Sequence, residues 1–209
     1  MKKAADQLGF QRKTGIEVGW EESVGLVGDE TWADRGRGWA EPGSVPWIPE
    51  DMASASIGQS VVQITPLQLA RAYAVFANGG WLVTPHLASG GVDWMSPERR
   101  RRVDLKPSTL QTIREGLRKV VSSGTGFGLN GPGIPPAAGK TGTAEDSTGG
   151  PDHAWFVAYA PYPDGEIVVV AFAQNTPGGG SVHALPMAKK VLARWQSLRT
   201  VRPLSEPVD

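Results

Sequence analysis

Cysteine is absent from this 209-residue sequence. Its absence excludes disulfide bonds, thiolate-bound metals and a cysteine nucleophile, and it fits an extracytoplasmic protein without requiring one. Charge of one sign is not in excess either, because Lys plus Arg and Asp plus Glu each number 21. With a net charge of zero, no overall field attracts nucleic acid, and we predict no nucleic-acid partner.

Long apolar runs and clustered histidines are also lacking. The longest purely apolar run, Ile167 to Ala173, is far shorter than the roughly 20 residues of a membrane-spanning helix. Met1 is followed by Lys-Lys-Ala-Ala-Asp-Gln and not by an apolar segment, so we expect no signal peptide. His86, His153 and His183 are scattered without ligand spacing, so we predict no metal site and no cofactor.

The composition that remains is that of an ordinary globular protein, with 40% hydrophobic and 20% charged residues. The first 50 residues are rich in Gly, Pro and Trp, which predicts an ordered, irregular region held by aromatic packing of Trp20, Trp32, Trp39 and Trp47. The single basic run, Arg99 to Arg102, has no aromatic neighbours. That favours a solvated loop or helix start over a binding patch.

Two helices are marked by capping signals. Thr65 to Gln68 combines an N-cap threonine, a proline at the first helical position and a capping-box glutamine, and Asn78-Gly79-Gly80 ends this helix. Ser108 to Gln111 is a second capping box, and Ser122-Ser123-Gly124 ends that helix. Their predicted apolar faces are Leu67, Ala70, Ala74 and Ala77 beside Leu69, Tyr73 and Phe76, and then Leu110, Ile113, Leu117, Val120 and Val121.

The later part of the chain predicts strands and a closing helix. Residues 137–144 are small and suit an extended strand. His153 to Tyr159 and Glu166 to Gln174 are predicted strands, joined as a hairpin by a turn at Pro161 to Gly165. A final helix is predicted from about Ala184 to Trp195, with three residues facing inward: Leu185, Ala188 and Leu192. This order of elements indicates an α+β fold with an antiparallel sheet.

The run PPAAGKTGTAE, Pro135 to Glu145, allows two chemistries. A phosphate-binding loop of the form G-x-x-x-x-G-K-[ST] needs a glycine five residues before Gly139, but Ile134 stands there. Prolines within such a loop would also remove backbone N–H donors. The residues after Thr141 cannot open a helix of useful length. Nucleotide binding is therefore rejected on spacing, donors and context.

As a strand, the same run places small residues around Lys140. Gly139 and Gly142 let another backbone approach closely, as where an extended peptide pairs with a sheet edge. Lys140 supplies a positive charge, Thr141 and Thr143 supply hydroxyls for a carboxylate, and the Thr143 N–H is placed to stabilise an oxyanion. Because Lys-Thr-Gly often arises by chance, a strand with an exposed lysine remains the alternative on these residues alone.

K-T-G is one of three motifs, with S-x-x-K and S-x-N, that mark penicillin-binding proteins and serine β-lactamases. The chain resembles the C-terminal part of the transpeptidase domain of class B penicillin-binding proteins, especially the elongation-type members. The resemblance is carried, in chain order, by Leu8-Gly9-Phe10, Thr14-Gly15-Ile16, Ser56-Ile57-Gly58-Gln59, Thr65 to Ala70, Ala77 to Gly80, Val120-Val121, Gly124-Thr125, Gly139 to Ala144 and His153 to Pro161. Ser60 departs from the family, which usually has glycine after Ile-Gly-Gln.

The resemblance implies the penicillin-binding transpeptidase fold and serine acyl transfer in peptidoglycan cross-linking. A serine attacks the D-Ala-D-Ala bond of a stem peptide, a motif lysine activates that serine, and an amine resolves the acyl-enzyme. The residues implied to bind the terminal carboxylate and β-lactam inhibitors are Lys140, Thr141, Gly142 and Thr143. The implied partners are stem peptides and a membrane glycosyltransferase of the elongation machinery. The parent protein would be anchored in the plasma membrane, with this domain on its extracytoplasmic side.

The resemblance also divides the chain. It assigns residues 1–198 to the C-terminal part of the domain, with an irregular region at 1–50, helices at 51–130 and the K-T-G strand, hairpin and closing helix at 135–198. Residues 199–209 are interpreted as a tail.

Two of the three family motifs are missing. No serine of the sequence is followed by lysine three positions later or by asparagine two positions later. In the family both motifs precede the segment that matches Leu8-Gly9-Phe10, so we expect them upstream of Met1 and expect the isolated chain to be inactive. The alternative is a non-catalytic module of the same fold that binds peptidoglycan peptides or a partner subunit.

Two further sites are weaker candidates. The resemblance places the loop Gly178 to Ser181 near the mouth of the active site. Glu145 and Asp146 could form an acid/base pair, but adjacent residues usually point apart.

Overall fold

The computed structural model describes residues 2–17, 21–28, 47–87, 96–146 and 149–201. Within these ranges the elements are α1 (Lys2–Gln7), β1 (Leu26–Val27), α2 (Pro49–Ser56), β2 (Val62–Gln63), α3 (Pro66–Ala77), β3 (Trp81–Val83), β4 (Arg100–Arg102), α4 (Pro107–Ser123), β5 (Ala138–Ala144), β6 (His153–Ala160), β7 (Ile167–Ala173), α5 (Gly179–Val182) and α6 (Ala184–Val201). The chain divides into two compact units: an N-unit, Met1–Ala72 with Leu82–Val103, and a C-unit, Tyr73–Trp81 with Asp104–Asp209.

The first turn of α3 anchors the N-unit. Its predicted capping box is confirmed, because Thr65 N donates to Gln68 Oε1 at 2.9 Å and Gln68 N donates to Thr65 Oγ1 at 3.1 Å. The Gln68 amide also donates to the carbonyl oxygens of Arg12 and Val24, at 3.0 and 2.9 Å. Gln68 is only 1% exposed, so this one side chain ties two distant loop segments to the helix.

Burial along α3 departs from the predicted apolar stripes. Phe76 and Ala77 are buried as predicted, but Ala72 and Val75 are buried as well. The other predicted positions are only half-buried: Leu67, Leu69, Ala70, Tyr73 and Ala74. The simple period fails partly because the polar Gln68 occupies a buried position, which its hydrogen bonds make favourable.

The described part of residues 1–50 is more regular than predicted. It contains α1 and β1, and β1 pairs antiparallel with β2. Helix α1 escaped prediction because Ala5 is its only buried residue, which leaves no apolar stripe to recognise. Trp47 is half-buried. The predicted packing of the other tryptophans lies outside the described residues: Trp20, Trp32 and Trp39.

The basic run forms a strand, so the prediction of a loop or helix start was wrong for most of it. A 3-10 turn covers Pro97–Arg99, and β4 then pairs with β3. The Arg101 guanidinium donates to the Asp6 and Gln7 carbonyl oxygens, at 3.4 and 2.8 Å, at the end of α1. Cations that satisfy terminal carbonyls of a helix stabilise that end, which gives Arg101 a structural role.

The C-unit is built on a three-stranded antiparallel sheet in the order β5-β6-β7. The predicted hairpin is confirmed, with Ala160 opposite Ile167 across the turn. Helix α4 packs against β5, and α6 packs against β6 and β7. Leu185, Ala188 and Leu192 of α6 face the core as predicted. The core cluster also holds Val121, Leu129, Ala137, Ala154, Phe156, Ala158, Ala160, Val169, Ala171 and Ala184.

Helix boundaries in the C-unit differ from prediction. Helix α4 begins at Pro107 with Lys106 as N-cap, so Ser108 does not cap it. Proline suits the first helical position because its φ is fixed and it needs no N–H partner there. Helix α6 continues past Trp195 to Val201, into the residues interpreted as a tail. Arg199 supports the added turn through Glu166 (Nη2 to Oε1, 2.6 Å) and the Trp195 ring.

No helix in the described ranges combines the length and apolar character needed to cross a membrane.

Candidate active site

Strand β5 places the Lys-Thr-Gly run at an edge of the C-unit sheet. It pairs with β6 along its whole length, with Lys140 opposite Val157 and Gly142 opposite Trp155. Among the described residues, no strand pairs with its other side. An edge strand presents backbone N–H and C=O groups with which an extended peptide can pair.

The two glycines of β5 serve its pairing with β6. A Cβ on Gly139 would lie 3.0 Å from Ala158 Cβ, and a Cβ on Gly142 would lie 3.2 Å from Trp155 Cβ. Both distances are tighter than ordinary side-chain contacts. The sequence predicted that these glycines let another backbone approach, and the backbone that approaches them is that of β6.

The polar groups of the run lie close together on the strand. Lys140 is exposed, and its Nζ donates to the Thr141 carbonyl oxygen at 2.7 Å. Thr141 is half-buried, and its Oγ1 lies 2.8 Å from Oγ1 of Thr125, with either hydroxyl able to donate. Thr143 is exposed and shares a face of the strand with Thr141, because side chains alternate along β5.

Thr125 is carried by a tight turn at the end of α4. The N–H groups of Gly124 and Gly126 both donate to the Val120 carbonyl oxygen, at 3.1 and 3.0 Å. A Cβ on Gly124 would lie 3.0 Å from Val120 Cα, and a Cβ on Gly126 would lie 3.1 Å from Val120 Cγ1. The turn is therefore tightly packed on both sides of Thr125, and this packing together with the two hydrogen bonds fixes the backbone that presents the hydroxyl.

The short helix α5 covers the end of β5. Gly179 and Gly180 are buried. A Cβ on Gly179 would lie 2.5 Å from Thr143 Oγ1, and a Cβ on Gly180 would lie 2.6 Å from the Gly142 carbonyl oxygen. The candidate segment Gly178 to Ser181 thus lies against the strand as a helical turn, not the loop that was predicted. Glycine is needed there because no side chain fits between α5 and β5.

Two cationic side chains donate hydrogen bonds to backbone carbonyls on either side of the site. Arg118 Nη1 donates to the Ala137 carbonyl oxygen at 2.8 Å, immediately before β5. Lys189 Nζ donates to the carbonyl oxygens of Gly128 and Asn130, both at 2.7 Å, in the segment that follows Thr125. Sequence reasoning missed both cations, because a side chain that satisfies distant carbonyls leaves no local pattern.

The opposite end of the β5–β6 pair carries titratable groups with shifted pKa values. Burial raises the pKa of Tyr159, although the Arg114 guanidinium opposes that shift. Burial alone would lower the pKa of Arg114, but its hydrogen bond to Asp164 and the nearby Tyr159 hydroxyl raise it. Arg114 Nη2 donates to Asp164 Oδ1 at 2.9 Å. These groups form a structural ion pair near the turn between β6 and β7.

The remaining candidates lie outside β5. Glu145 and Asp146 follow directly after the strand. His153 Nδ1 accepts from Asn175 N at 3.2 Å. His183 Nε2 lies 2.6 Å from the Pro177 carbonyl oxygen. In the part of the chain that the structure describes, no group of His, Asp or Glu is arranged to hold a metal.

Together, these groups suit the binding of an anion. An ammonium group, hydroxyls and the N–H groups of an edge strand are the donors that carboxylates and developing oxyanions need. Thr125 belongs to this set, although the sequence identified it only as part of a family block. The sequence contains no S-x-x-K motif.

Known proteins are similar to this chain in sequence. Residues 1–193 match the family model described as the penicillin binding protein transpeptidase domain. Peptidoglycan D,D-transpeptidase MrdA of Haemophilus influenzae is 32% identical over 226 residues, which cover 97% of this chain and 34% of that protein. MrdA of Acinetobacter baumannii is 33% identical, over 95% of this chain and 31% of that protein. The chain thus spans about a third of the length of the curated relatives it matches.

Solved structures share the fold. The penicillin-binding protein PBP2 in a complex with MreC from Helicobacter pylori matches with a TM-score of 0.77 and 26% identity, over 95% of this chain and 35% of that chain. A chain of a peptidoglycan synthase complex matches with a TM-score of 0.74 and 38% identity, over 98% of this chain and 33% of that chain. The predicted α+β transpeptidase fold is confirmed. The chain belongs to the family of penicillin-binding protein transpeptidase domains.

Proposed function

We propose that this chain forms the carboxylate-binding wall of the acyl-transfer site in a peptidoglycan D,D-transpeptidase. The observation that carries the proposal is the edge strand β5, where Lys140 Nζ donates to the Thr141 carbonyl oxygen and the Thr141 hydroxyl lies 2.8 Å from the Thr125 hydroxyl. The substrate class is a stem peptide ending in D-Ala-D-Ala. β-Lactams, which carry a carboxylate in the corresponding position, would bind the same wall and inhibit the enzyme.

Each group on β5 has a separate task in this proposal. Lys140 places a positive charge beside the terminal carboxylate, and Thr141 donates its hydroxyl to that carboxylate. The Thr143 N–H stabilises the oxyanion that forms when the scissile carbonyl is attacked. The close packing at Gly142 keeps these groups in register. The stem peptide would pair with the open edge of β5, so that backbone bonds orient it.

The nucleophile in this proposal comes from residues outside the 209. Serine acyl transfer needs a serine activated by a neighbouring base, and the sequence contains neither S-x-x-K nor S-x-N. The curated relatives extend well beyond the matched region, which leaves room for both motifs. We therefore propose that the isolated chain cannot form an acyl-enzyme.

The relatives also suggest a setting for the parent protein. The Helicobacter pylori relative is solved in a complex with MreC, and a second relative belongs to a synthase complex that coordinates polymerization and crosslinking. We propose that the parent is anchored in the plasma membrane, with this domain on the extracytoplasmic side. Its partner there would be a membrane glycosyltransferase of the cell-wall elongation machinery.

Covalent labelling with a fluorescent penicillin tests the proposal. The test compares the 209-residue chain with a fusion that carries, ahead of Met1, the segment that precedes the matched region in the Haemophilus influenzae relative. After denaturing electrophoresis we expect label on the fusion only. Lys140→Ala and Thr141→Val should remove most of that label. Lys190→Ala is the matched control, because Lys190 is an exposed lysine of α6.

Two outcomes would contradict the proposal. Label on the isolated chain would require a nucleophile within these residues. An unlabelled fusion that still unfolds cooperatively would mean that the completed site does not acylate, which is what the alternative of a non-catalytic binding module predicts.

A further inference from the structure

The Thr125 and Thr141 hydroxyls share one hydrogen bond, and either of them could be its donor. A ligand that binds Thr141 would decide which one donates. A threonine hydroxyl has one hydrogen to donate and two lone pairs with which to accept. If Thr141 gives its hydrogen to a substrate carboxylate, it has none left for Thr125. The hydrogen in the 2.8 Å contact between the two oxygens must then come from Thr125.

We propose that Thr125 is a positioning residue for the carboxylate site. It donates to Thr141 Oγ1, holds the Thr141 side chain in one rotamer and leaves the Thr141 hydrogen free for the terminal carboxylate. This inference rests on the proposed function, because the carboxylate is the group that fixes the direction of the bond.

The turn around Thr125 is built before any ligand arrives. The bonds from Gly124 and Gly126 to the Val120 carbonyl oxygen hold its backbone, and both glycines are tightly packed against Val120. Lys189 binds the carbonyl oxygens of Gly128 and Asn130 just beyond it. A donor on such a turn is preorganised, so its orientation does not have to be fixed when the ligand binds.

The hydrogen bond from Thr125 to Thr141 should also strengthen the hydrogen bond from Thr141 to the carboxylate. Hydrogen bonds in a chain polarise one another, so a hydroxyl that accepts one bond donates a stronger one. These hydrogen bonds would run from Thr125 to Thr141 and from Thr141 to the carboxylate. Loss of the first bond should weaken carboxylate binding by about 3- to 10-fold, the range of a typical net hydrogen bond.

The rotamer of Thr141 tests the inference without a ligand. Three-bond couplings from Thr141 Cγ2 to its own amide nitrogen and carbonyl carbon report χ1 in the isotope-labelled 209-residue chain. We expect one rotamer in the chain itself and in Thr125→Ser, which keeps the donor. In Thr125→Val, which has the same shape but no hydrogen to give, we expect averaged couplings. Unchanged Thr141 couplings in Thr125→Val would overturn the proposal.

The substitutions are chosen to leave the fold intact. Thr125 is exposed, so valine is tolerated there, and unchanged amide shifts in α6 verify this. If valine disturbs the turn, Thr125→Ala provides the same comparison. A purely structural role for Thr125 would move the α6 shifts and stability without a selective change in the Thr141 rotamer.

A binding measurement separates this inference from the proposed function. Titration with N,N′-diacetyl-L-Lys-D-Ala-D-Ala should give an affinity about 3- to 10-fold weaker in Thr125→Val, and within about twofold of the original in Thr125→Ser. Equal affinities in Thr125→Val and the unchanged chain would overturn the role of Thr125. If the peptide bound neither the unchanged chain nor the two variants, the proposed function of β5 would be contradicted. The rotamer comparison would still decide the role of Thr125.

Discussion

The packing of α5 on β5 predicts that Gly180→Ala destabilises the C-unit. The added Cβ would lie 2.6 Å from the Gly142 carbonyl oxygen and closer still to the Trp155 carbonyl oxygen. Side-chain Cβ atoms essentially never come within 3.0 Å of such neighbours. Because both neighbours are backbone atoms of paired strands, no flexible side chain can yield. Overpacking of this kind costs about 1 to 3 kcal/mol, and we expect that loss in the free energy of unfolding.

Urea unfolding followed by tryptophan fluorescence measures this loss, with the free energy extrapolated linearly to zero denaturant. Gly116→Ala is the matched control, because a Cβ on Gly116 would meet nothing within 4 Å in the middle of α4. That substitution should stabilise the chain by about 0.5 to 1 kcal/mol, the helix preference of alanine over glycine. If Gly180→Ala were as stable as the unchanged chain, α5 would not pack on β5 as described.

Three further predictions concern other parts of the molecule, two of them with a control substitution. Burial raises the pKa of Tyr73 to about 12 from 10.0, so the folded state holds its proton more tightly than the unfolded state. The contribution of Tyr73 to the free energy of unfolding should therefore be complete below pH 10 and fall by about 2 to 3 kcal/mol as the pH rises to 12. Urea unfolding at a series of pH values measures this fall, and Tyr73→Phe should remove it. Gln68→Leu should cost about 3 kcal/mol in the same assay, because it leaves two carbonyls and one N–H around the buried Gln68 side chain without their hydrogen-bond partner. Gln111→Leu, on the exposed face of α4, should cost little. Leu192→Ala should cost about 2 to 5 kcal/mol, whereas Val191→Ala, 48% exposed, should change stability by less than about 1 kcal/mol.

Several features encoded by neighbouring residues were predictable from the sequence, although the Ser108 capping box was not formed and α1 was missed. The Thr65 capping box was found because its partners stand three residues apart. The β6–β7 hairpin was found because two apolar runs flank a turn rich in proline and glycine. The Lys-Thr-Gly strand was placed by the order of family blocks around it.

Features that depend on distant residues were not predictable. Thr125 and Thr141 are 16 residues apart, and nothing local links their hydroxyls. The acceptors of Gln68, the carbonyls of Arg12 and Val24, lie 56 and 44 residues away. Arg101 was predicted to lie in a solvated loop or helix start, because its carbonyl partners at Asp6 and Gln7 cannot be recognised from a run of arginines.

Amide shift mapping tests most directly whether β5 is a carboxylate-binding wall. The isotope-labelled chain is titrated with N,N′-diacetyl-L-Lys-D-Ala-D-Ala and, separately, with the same peptide ending in a carboxamide. We expect the largest shifts at residues 140–143 and at Thr125, with much weaker changes for the carboxamide because it presents no negative charge to Lys140. Equal responses to the two peptides, or shifts centred away from β5, would contradict the account.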